Sequence, residues 1–166
     1  MVQCQDITKQ YHSGRGAMHA LRGVFFTVAP AAMVVIVGKS GSGKTTLLNC
    51  MGGLDRPDSG KVIYNGRNLH ELPPRELSLF LRRDMGFVFQ FGNLFSYLTV
   101  FENIAFPLTL NAVADQEKKR RVGELLERIG LADAGRALPH ELSGGEVQRV
   151  AVARALAPQP QNAACR

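Results

Sequence analysis

Residues 2–11 (VQCQDITKQY) interleave apolar and polar side chains, and so do residues 20–29 (ALRGVFFTVA). That near-alternation predicts two strands, joined through the glycine-containing stretch HSGRGAM. Residues 32–38 (AMVVIVG) break the pattern: they form one continuous apolar, β-branched run ending at Gly38, the mark of a strand buried on both faces. A short helix is predicted over KTTLLNCMGGL (44–54), then a strand over GKVIYNGRNL (60–69) with an Asn-Gly turn inside it. PPRELSLFLRR (73–83) opens on proline and carries Leu and Phe at helical spacing, and MGFVFQ (85–90) returns to strand. From Phe91 to Leu138 the spacing is helical, with Val122, Leu125, Leu126 and Ile129 recurring at i, i+3, i+4 and i+7. The last helix is GGEVQRVAVARALA (144–157). Strands and helices alternate without an internal repeat or low-complexity linker, so the expected class is α/β with a helical insertion.

Composition narrows the function classes. A chain of 166 residues, 45% hydrophobic and 20% charged, suits one globular domain with its own core. No apolar run approaches the ~20 residues of a membrane span. The opening MVQCQDITKQYH has no basic-then-apolar leader, so the cytoplasm is the expected compartment. Cys4, Cys50 and Cys165 show no metal-ligand spacing and read as buried or idle thiols. His12, His19, His70 and His140 show none either and are expected at the surface. Lys and Arg exceed Asp and Glu by 20 − 14 = 6. The basic residues are scattered and lack interleaved aromatics, so nucleic acid is not the expected partner.

The chemistry begins at GKSGSGKT (38–45), which matches G-x-x-x-x-G-K-[ST] between a buried strand and a helix. Gly38, Gly41 and Gly43 permit backbone turns that a Cβ would block, so the N–H groups around Lys39, Ser40 and Ser42 can point inward at a phosphate. The following helix, opening Lys44-Thr45-Thr46, adds the positive end of its dipole. Lys44 is placed to reach the terminal phosphates, and the Thr45 hydroxyl to ligate Mg²⁺. This loop alone leaves kinases, GTPases and motor ATPases open. ELSGGEVQRVAVARALA (141–157) decides among them. Ser143 is positioned as N-cap with Glu146 completing a capping box. Capping does not require both Gly144 and Gly145, which weaken a helix; they make sense if a ligand must approach the backbone closely. One nucleotide cannot use both sites of a single chain, so the second site is expected to serve a partner subunit's nucleotide.

On these residues the sequence resembles an ABC-transporter ATP-binding subunit over almost its whole length. Gly38–Thr45 looks like the Walker A motif, Leu142–Glu146 like the LSGG(Q/E) signature, and Gln90 like the Q-loop glutamine. Tyr11 is similar to the aromatic that stacks on adenine. SGSGKTTLLNCMGGLDRPDSGKV and FQFGNLFSYLTVFENIAFPL look closest to the lipoprotein-releasing and macrolide-exporting branch. The resemblance implies a P-loop NTPase core with N-terminal antiparallel strands (about 1–90) and a helical subdomain (about 91–150). It implies ATP and Mg²⁺ as cofactors, with Thr45 and Gln90 on the metal, and a homodimer sandwiching two ATP. The implied partners are membrane permease subunits, which would hold the protein at the inner face of the cell membrane. Phe91–Phe106 read either as the surface that grips a permease's cytoplasmic helix or as subdomain core. Lys39 stands where the family often has a small residue or Pro. Ala31 and Ala32 stand where it commonly turns with Gly-Glu, a departure with no evident cost.

The family pattern continues with a Pro-containing turn and an apolar strand ending in Asp-Glu, the Walker B Asp and catalytic Glu. This sequence reaches the turn at ALAPQPQ and closes on NAACR. The expectation is therefore a cassette incomplete at its C-terminus, lacking the Walker B strand onward and inactive in hydrolysis. Codons for Asn-Ala-Ala-Cys-Arg, shifted one base, can spell Met-Leu-Leu-Ala-Asp and the start of Glu, which points to a frameshift. Two rival readings are a non-functional fragment and a soluble ABC ATPase acting on nucleic acid. The latter calls for a long coiled-coil insertion or tandem cassettes, and the sequence has neither.

Overall fold

The computed structural model of the chain describes residues 1–13, 16–160 and 162–165. It divides into two compact units, Met1–Ser78 and Leu79–Arg166. The strand read at 85–90, assigned above to the core lobe, thus belongs with the helices.

In the first unit, β1 (Val2–Ser13) pairs antiparallel with β2 (Gly16–Val28) on one edge and with β3 (Ser59–Tyr64) on the other. Part of the predicted HSGRGAM turn lies outside the described residues. A two-residue β4 (Arg67–Asn68) completes the sheet in the order β2-β1-β3-β4. The Asn-Gly signal acts as predicted: Asn65 and Gly66 take φ 47° and 84°, and Tyr64 faces Arg67 across the hairpin. Two positive φ values give the turn whose twist matches the strands it joins. Helix α1 (Lys44–Met51) buries Thr46, Leu47 and Cys50, and Cys4, Ile7, Val62 and Leu69 are buried in the same unit. Burial pushes the thiols of Cys4 and Cys50 up, to about 12 and about 11, so both stay protonated at neutral pH. Both read correctly as buried thiols. His70 does not sit at the surface as expected; it is half-buried, and its Nε2 donates to the Cys50 carbonyl at 2.8 Å.

The apolar run 32–38 is the largest departure from the sequence reading. Among the described residues it pairs with no strand and is assigned none. Most of its side chains stay in water, with Met33 92% and Val37 84% exposed, while Ile36 is half-buried. A strand is a property of a pair: local β-propensity and burial on both faces require hydrogen-bonded neighbours, and the four strands of this unit pair only with one another. Just before the run, Ala32 N donates to Ala29 O at 3.2 Å, closing a turn over Pro30 and Ala31. Ala31 takes φ 59°, the slot of a Pro-led turn that favours glycine. The alanine there has a cost after all.

Helix α2 (Pro74–Arg83) starts at proline as predicted and carries the chain into the second unit. There β5 (Met85–Val88) is followed by α3 (Val100–Leu110), α4 (Asp115–Arg128) and α5 (Gly144–Leu156). Val100, Ile104 and Leu108 of α3 pack with Val122 and Leu126 of α4 and Val150 and Ala153 of α5. Leu125 and Ile129 lie against the same cluster, so the predicted apolar face of α4 is the buried one. Asn103, fully buried, ties the preceding loop to α3: its Nδ2 donates to the carbonyls of Phe95, Leu98 and Thr99 and its Oδ1 accepts from Phe95 N. A buried amide with every donor and acceptor answered fixes the loop rather than weakening the core.

The sequence reading expected no further strand after the turn at 158–160. The structure corrects this: β6 (Asn162–Cys165) lies parallel to β5, pairing Met85 with Asn162 and Val88 with Cys165. It is short, half-exposed and without a carboxylate. Backbone ladder bonds do not depend on side-chain identity, and the open edge of β5 is a template for any extended segment that reaches it.

Two predictions follow from the first unit. Ala31→Gly is expected to stabilise the fold by about 0.5–1 kcal/mol, because relief of the left-handed alanine outweighs the added freedom of the unfolded chain; urea unfolding measures it. Burial, opposed by the hydrogen bond to Cys50, lowers the pKa of His70. The folded state therefore favours neutral imidazole, and its contribution is present above the unfolded value of about 6.5 and lost as pH falls below it. The urea midpoint should drop between about pH 7.5 and 5.5, and His70→Gln should flatten that drop.

Candidate functional site

The loop 38–45 wraps the start of α1 in the first unit. Gly41 and Gly43 take φ 77° and 88°, and a Cβ on Gly43 would run into the carbonyl oxygen of Ala20. Gly43 is the N-cap of α1, offers no side-chain bond to the first turn, and is followed by no acidic residue there. Helices α3 and α5 both carry an N-cap hydroxyl and a glutamate at the third position. Helix α4 also lacks a side-chain cap but has Asp115 and Glu117 in its first turn, whereas α1 has neither a cap nor an acidic residue there, which leaves its positive end open to an anion from outside the chain. Lys44 folds over the loop: its Nζ donates to the carbonyls of Gly38 at 2.8 Å and Lys39 at 2.7 Å. The half-buried Thr45 hydroxyl stands beside it on the first turn, and Thr46 is buried. Lys39, Ser40, Gly41 and Ser42 are exposed along the loop.

A groove of about 400 Å³ opens beside this loop, lined by His19, Arg22, Val37, Ser42, Lys44 and Leu47 among others. Among the described residues, no Asp or Glu lines it. Its chemistry, with Arg22, Lys44, His19 and the Ser42 hydroxyl and without a carboxylate, fits a polyanion such as a triphosphate. Arg22 was not singled out in the sequence, and His19 was read only as a surface residue; three apart, they would fall on opposite faces of a regular strand, and the register irregularity at that point of β2 is not readable locally.

Tyr11 does not line this groove. Its hydroxyl donates to Asp55 Oδ2 at 2.6 Å, and the Lys9 ammonium lies 5.4 Å from the ring centre while pairing with Asp55 at 2.8 Å. The Asp55 carboxylate accepting that proton raises the phenol's pKa, helped by burial. The ring is thus anchored at its hydroxyl end.

The other candidate residues lie in the second unit. Gln90 is exposed in the turn that follows β5. Helix α5 holds that turn: Gln148 Nε2 donates to Phe89 O at 3.3 Å, and Arg154 donates to Gly92 O at 2.8 Å and Asn93 O at 2.7 Å. Gly92, at φ 71°, packs so closely that a Cβ would meet Val147 Cγ1 at 2.6 Å. Gln148 and Arg154 escaped the sequence reading, although two long polar side chains on an Ala- and Val-rich helix were a visible signal.

At the start of α5 the predicted capping box is present. Ser143 N and Oγ donate to Glu146 Oε2 at 2.8 and 2.6 Å, and Glu146 N donates back to Ser143 Oγ at 3.4 Å. These bonds, from the serine hydroxyl first and its amide second, hold the glutamate below the usual carboxylate range. Gly144 and Gly145 have room for a side chain; nothing lies within 4 Å of a Cβ on Gly144, and only Arg149 Nη1, at 3.9 Å, near one on Gly145. Neither takes a positive φ. Nothing inside the chain requires glycine at either position.

The aromatics of 91–106 divide between the two readings given above. Phe101 packs on the helical core, whereas Phe91 and Tyr97 are turned to solvent.

The sequence profile of the ABC transporter family matches residues 21–163. The chain is 46% identical over 160 residues to an uncharacterized ABC transporter ATP-binding protein of Thermotoga maritima, covering 96% of this chain and 68% of that one. It is 47% identical to the methionine import ATP-binding protein MetN of Thermobifida fusca, spanning 96% of this chain and 50% of that one. The lipoprotein-releasing system ATP-binding protein LolD of Chromohalobacter salexigens is 42% identical, with 96% and 68% covered. Against the methionine import protein of Corynebacterium jeikeium the chain spans 42% of the relative's length. A solved dimeric ATP-binding cassette, MJ0796, bound to ADP and Pi superposes with a TM-score of 0.93 at 38% identity, covering 99% of this chain and 73% of that one. Uptake and lipoprotein-release relatives match the same stretch, so what it encodes is common to both. The chain belongs to the ABC transporter family and carries the fold of its ATP-binding domain.

Proposed function

We propose that these residues bind Mg·ATP and pair with a second copy, as the ATP-binding subunit of a transporter. The observation that carries the reading is the contrast between two helix starts. α1 is uncapped and basic, with glycines that its own packing demands; α5 is capped, with glycines that its own packing does not demand. In this reading the loop from Gly38 to Thr46 cradles the phosphates, and Lys44 turns from its carbonyl partners to the terminal phosphate oxygens. Thr45 and the Gln90 carboxamide supply oxygens to Mg²⁺, which neutralises charge on the phosphates when bound. Tyr11 offers its anchored ring to the base. Ser143, Gly144, Gly145 and Glu146 close on the nucleotide held by the partner copy. Gly144 and Gly145 let that phosphate approach the main chain.

Membrane permease subunits are the partners this assembly would move, and they would hold it at the inner face of the cell membrane. No helix among the described residues is long and apolar enough to cross a membrane. Nucleic acid is not part of this reading. The names of the relatives span methionine import and lipoprotein release, and either cargo class fits the same subunit.

Water attack on the terminal phosphate needs a carboxylate to orient the nucleophile. Among the described residues none lines the groove beside the loop and none stands on β6. We therefore propose that residues 1–166 bind nucleotide without turning it over.

Filter binding of radiolabelled ATP to the purified chain should show saturable occupancy, weakened at least about tenfold by Lys44→Ala, with phosphate release at background. Occupancy indifferent to Lys44, or turnover above background, would refute the reading. The glycines separate stability from function. Gly43→Ala should destabilise the fold by roughly 1–3 kcal/mol. Gly145→Ala should leave urea stability unchanged or raised by about 0.5–1 kcal/mol while abolishing ATP-dependent pairing of two copies, measured by light scattering.

A further inference from the structure

Asp55, Lys9 and Thr46 meet around the phenol of Tyr11. Asp55 Oδ2 accepts the phenol proton at 2.6 Å, and Asp55 Oδ1 pairs with the Lys9 ammonium at 2.8 Å. The Thr46 hydroxyl, on the first turn of α1, donates to the phenol oxygen. Lys9 also donates to Arg56 O at 2.6 Å and stands over the Tyr11 ring, so a stacking ligand is left the opposite face. Burial alone would raise the pKa of Asp55. The bonds from Lys9 and Tyr11 outweigh it and hold the carboxylate below its usual range.

The cluster ties β1 to both ends of α1. Thr46 follows Thr45 on the first turn, and Asp55 N donates at 3.2 Å to the carbonyl of Asn49 in the last turn. Gln10 N donates to Asp58 Oδ2 at 2.6 Å, and Asp58 N donates to Thr8 O at 2.9 Å, which laces the segment after α1 along β1. A strand aromatic turns about its side-chain bonds, and one whose hydroxyl is held has already given up that freedom. Stacking on a held ring therefore costs less ordering than stacking on a free one. Because α1 also carries the phosphate loop, the same bonds fix the ring's distance from that loop.

We propose that Asp55 is a positioning residue of the nucleotide site: through the Tyr11 hydroxyl it sets where a base stacks relative to the phosphate loop. The proposal rests on the reading that Tyr11 receives the base. Asp55 does not touch the nucleotide; it acts only through the ring. Lys9 keeps the Asp55 carboxylate ionised and aimed, and Thr46 holds the phenol from the side of α1.

The test is calorimetric titration of the 166-residue chain with Mg·ATP and with Mg·tripolyphosphate, which has the phosphates and lacks the base. The readout is the ratio of the two affinities, since a variant that merely loosens the fold weakens both ligands and leaves the ratio. Asp55→Ala should narrow the ratio about fivefold. Asp55→Asn, which still accepts the phenol proton, should keep most of it. Tyr11→Phe removes the same bond from the other side and should match Asp55→Ala, which covers the case in which Asp55→Ala does not fold. In the Tyr11→Phe background Asp55→Ala should narrow the ratio no further, because no hydroxyl is left for it to act through. A ratio unmoved by Asp55→Ala and Tyr11→Phe, or additive losses in the double variant, overturns the proposal; a drop with Tyr11→Ala then leaves the base platform standing. No drop with Tyr11→Ala overturns the platform and the proposal together. Binding of neither ligand refutes the nucleotide reading itself.

Discussion

A main-chain N–H or C=O that leaves water must find a partner, and two extended segments of this chain meet that demand in opposite ways. Met85–Val88 finds Asn162–Cys165 and becomes a parallel ladder. Residues 32–38, far richer in β-branched side chains, find no strand among the described residues and remain unpaired and largely in water. Side-chain composition alone would have ranked them the other way. Availability of an edge decided the outcome, because ladder bonds are made by the backbone and are indifferent to whether Ala or Val carries them.

The same distinction separates what was legible in the sequence from what was not. Features set within a few residues were readable: the Asn65-Gly66 turn, the proline start of α2, the Val122–Leu126 face of α4 and the Ser143–Glu146 box. Features set by distant partners were not. The half-buried His70 needs the carbonyl of Cys50, the clamp on the Gln90 turn needs Arg154, and the basic wall of the loop groove needs Arg22 from β2. The Ala31 turn lies between the two kinds. Its signal was local, a Pro-Ala pair where Pro-Gly is natural, but only the positive φ reveals that alanine pays the conformational cost.

Three of the five helix starts contrast in how their first-turn amides are met. Thr99 and Ser143 both close reciprocal boxes with a glutamate three residues on, the economical way to satisfy first-turn amides. Gly43 closes nothing. Its glycine is forced by the Ala20 carbonyl, so the first turn of α1 stays short of side-chain acceptors for a steric reason and is left open in the way that suits an anion. At α5 the serine and glutamate satisfy each other while the two glycines keep their amides uncovered, a terminus that is both capped and approachable.

Helix α5 then joins features that sequence places far apart. Its first turn is the Ser-Gly-Gly tip, its middle carries Gln148 and Val147 against the turn around Gln90, and its last turns place Arg154 and Ala155 in the wall of an aromatic groove lined by Phe95 and Phe106. Val150, Ala151 and Ala153 along the same helix are buried in the core of the unit. Close-packed side chains do not shear independently, so a displacement at one end of α5 cannot be absorbed along its length. The tip, the Gln90 turn and the groove are therefore one mechanical element. A displacement of the tip would carry with it the loop held by Arg154 and the wall of the aromatic groove.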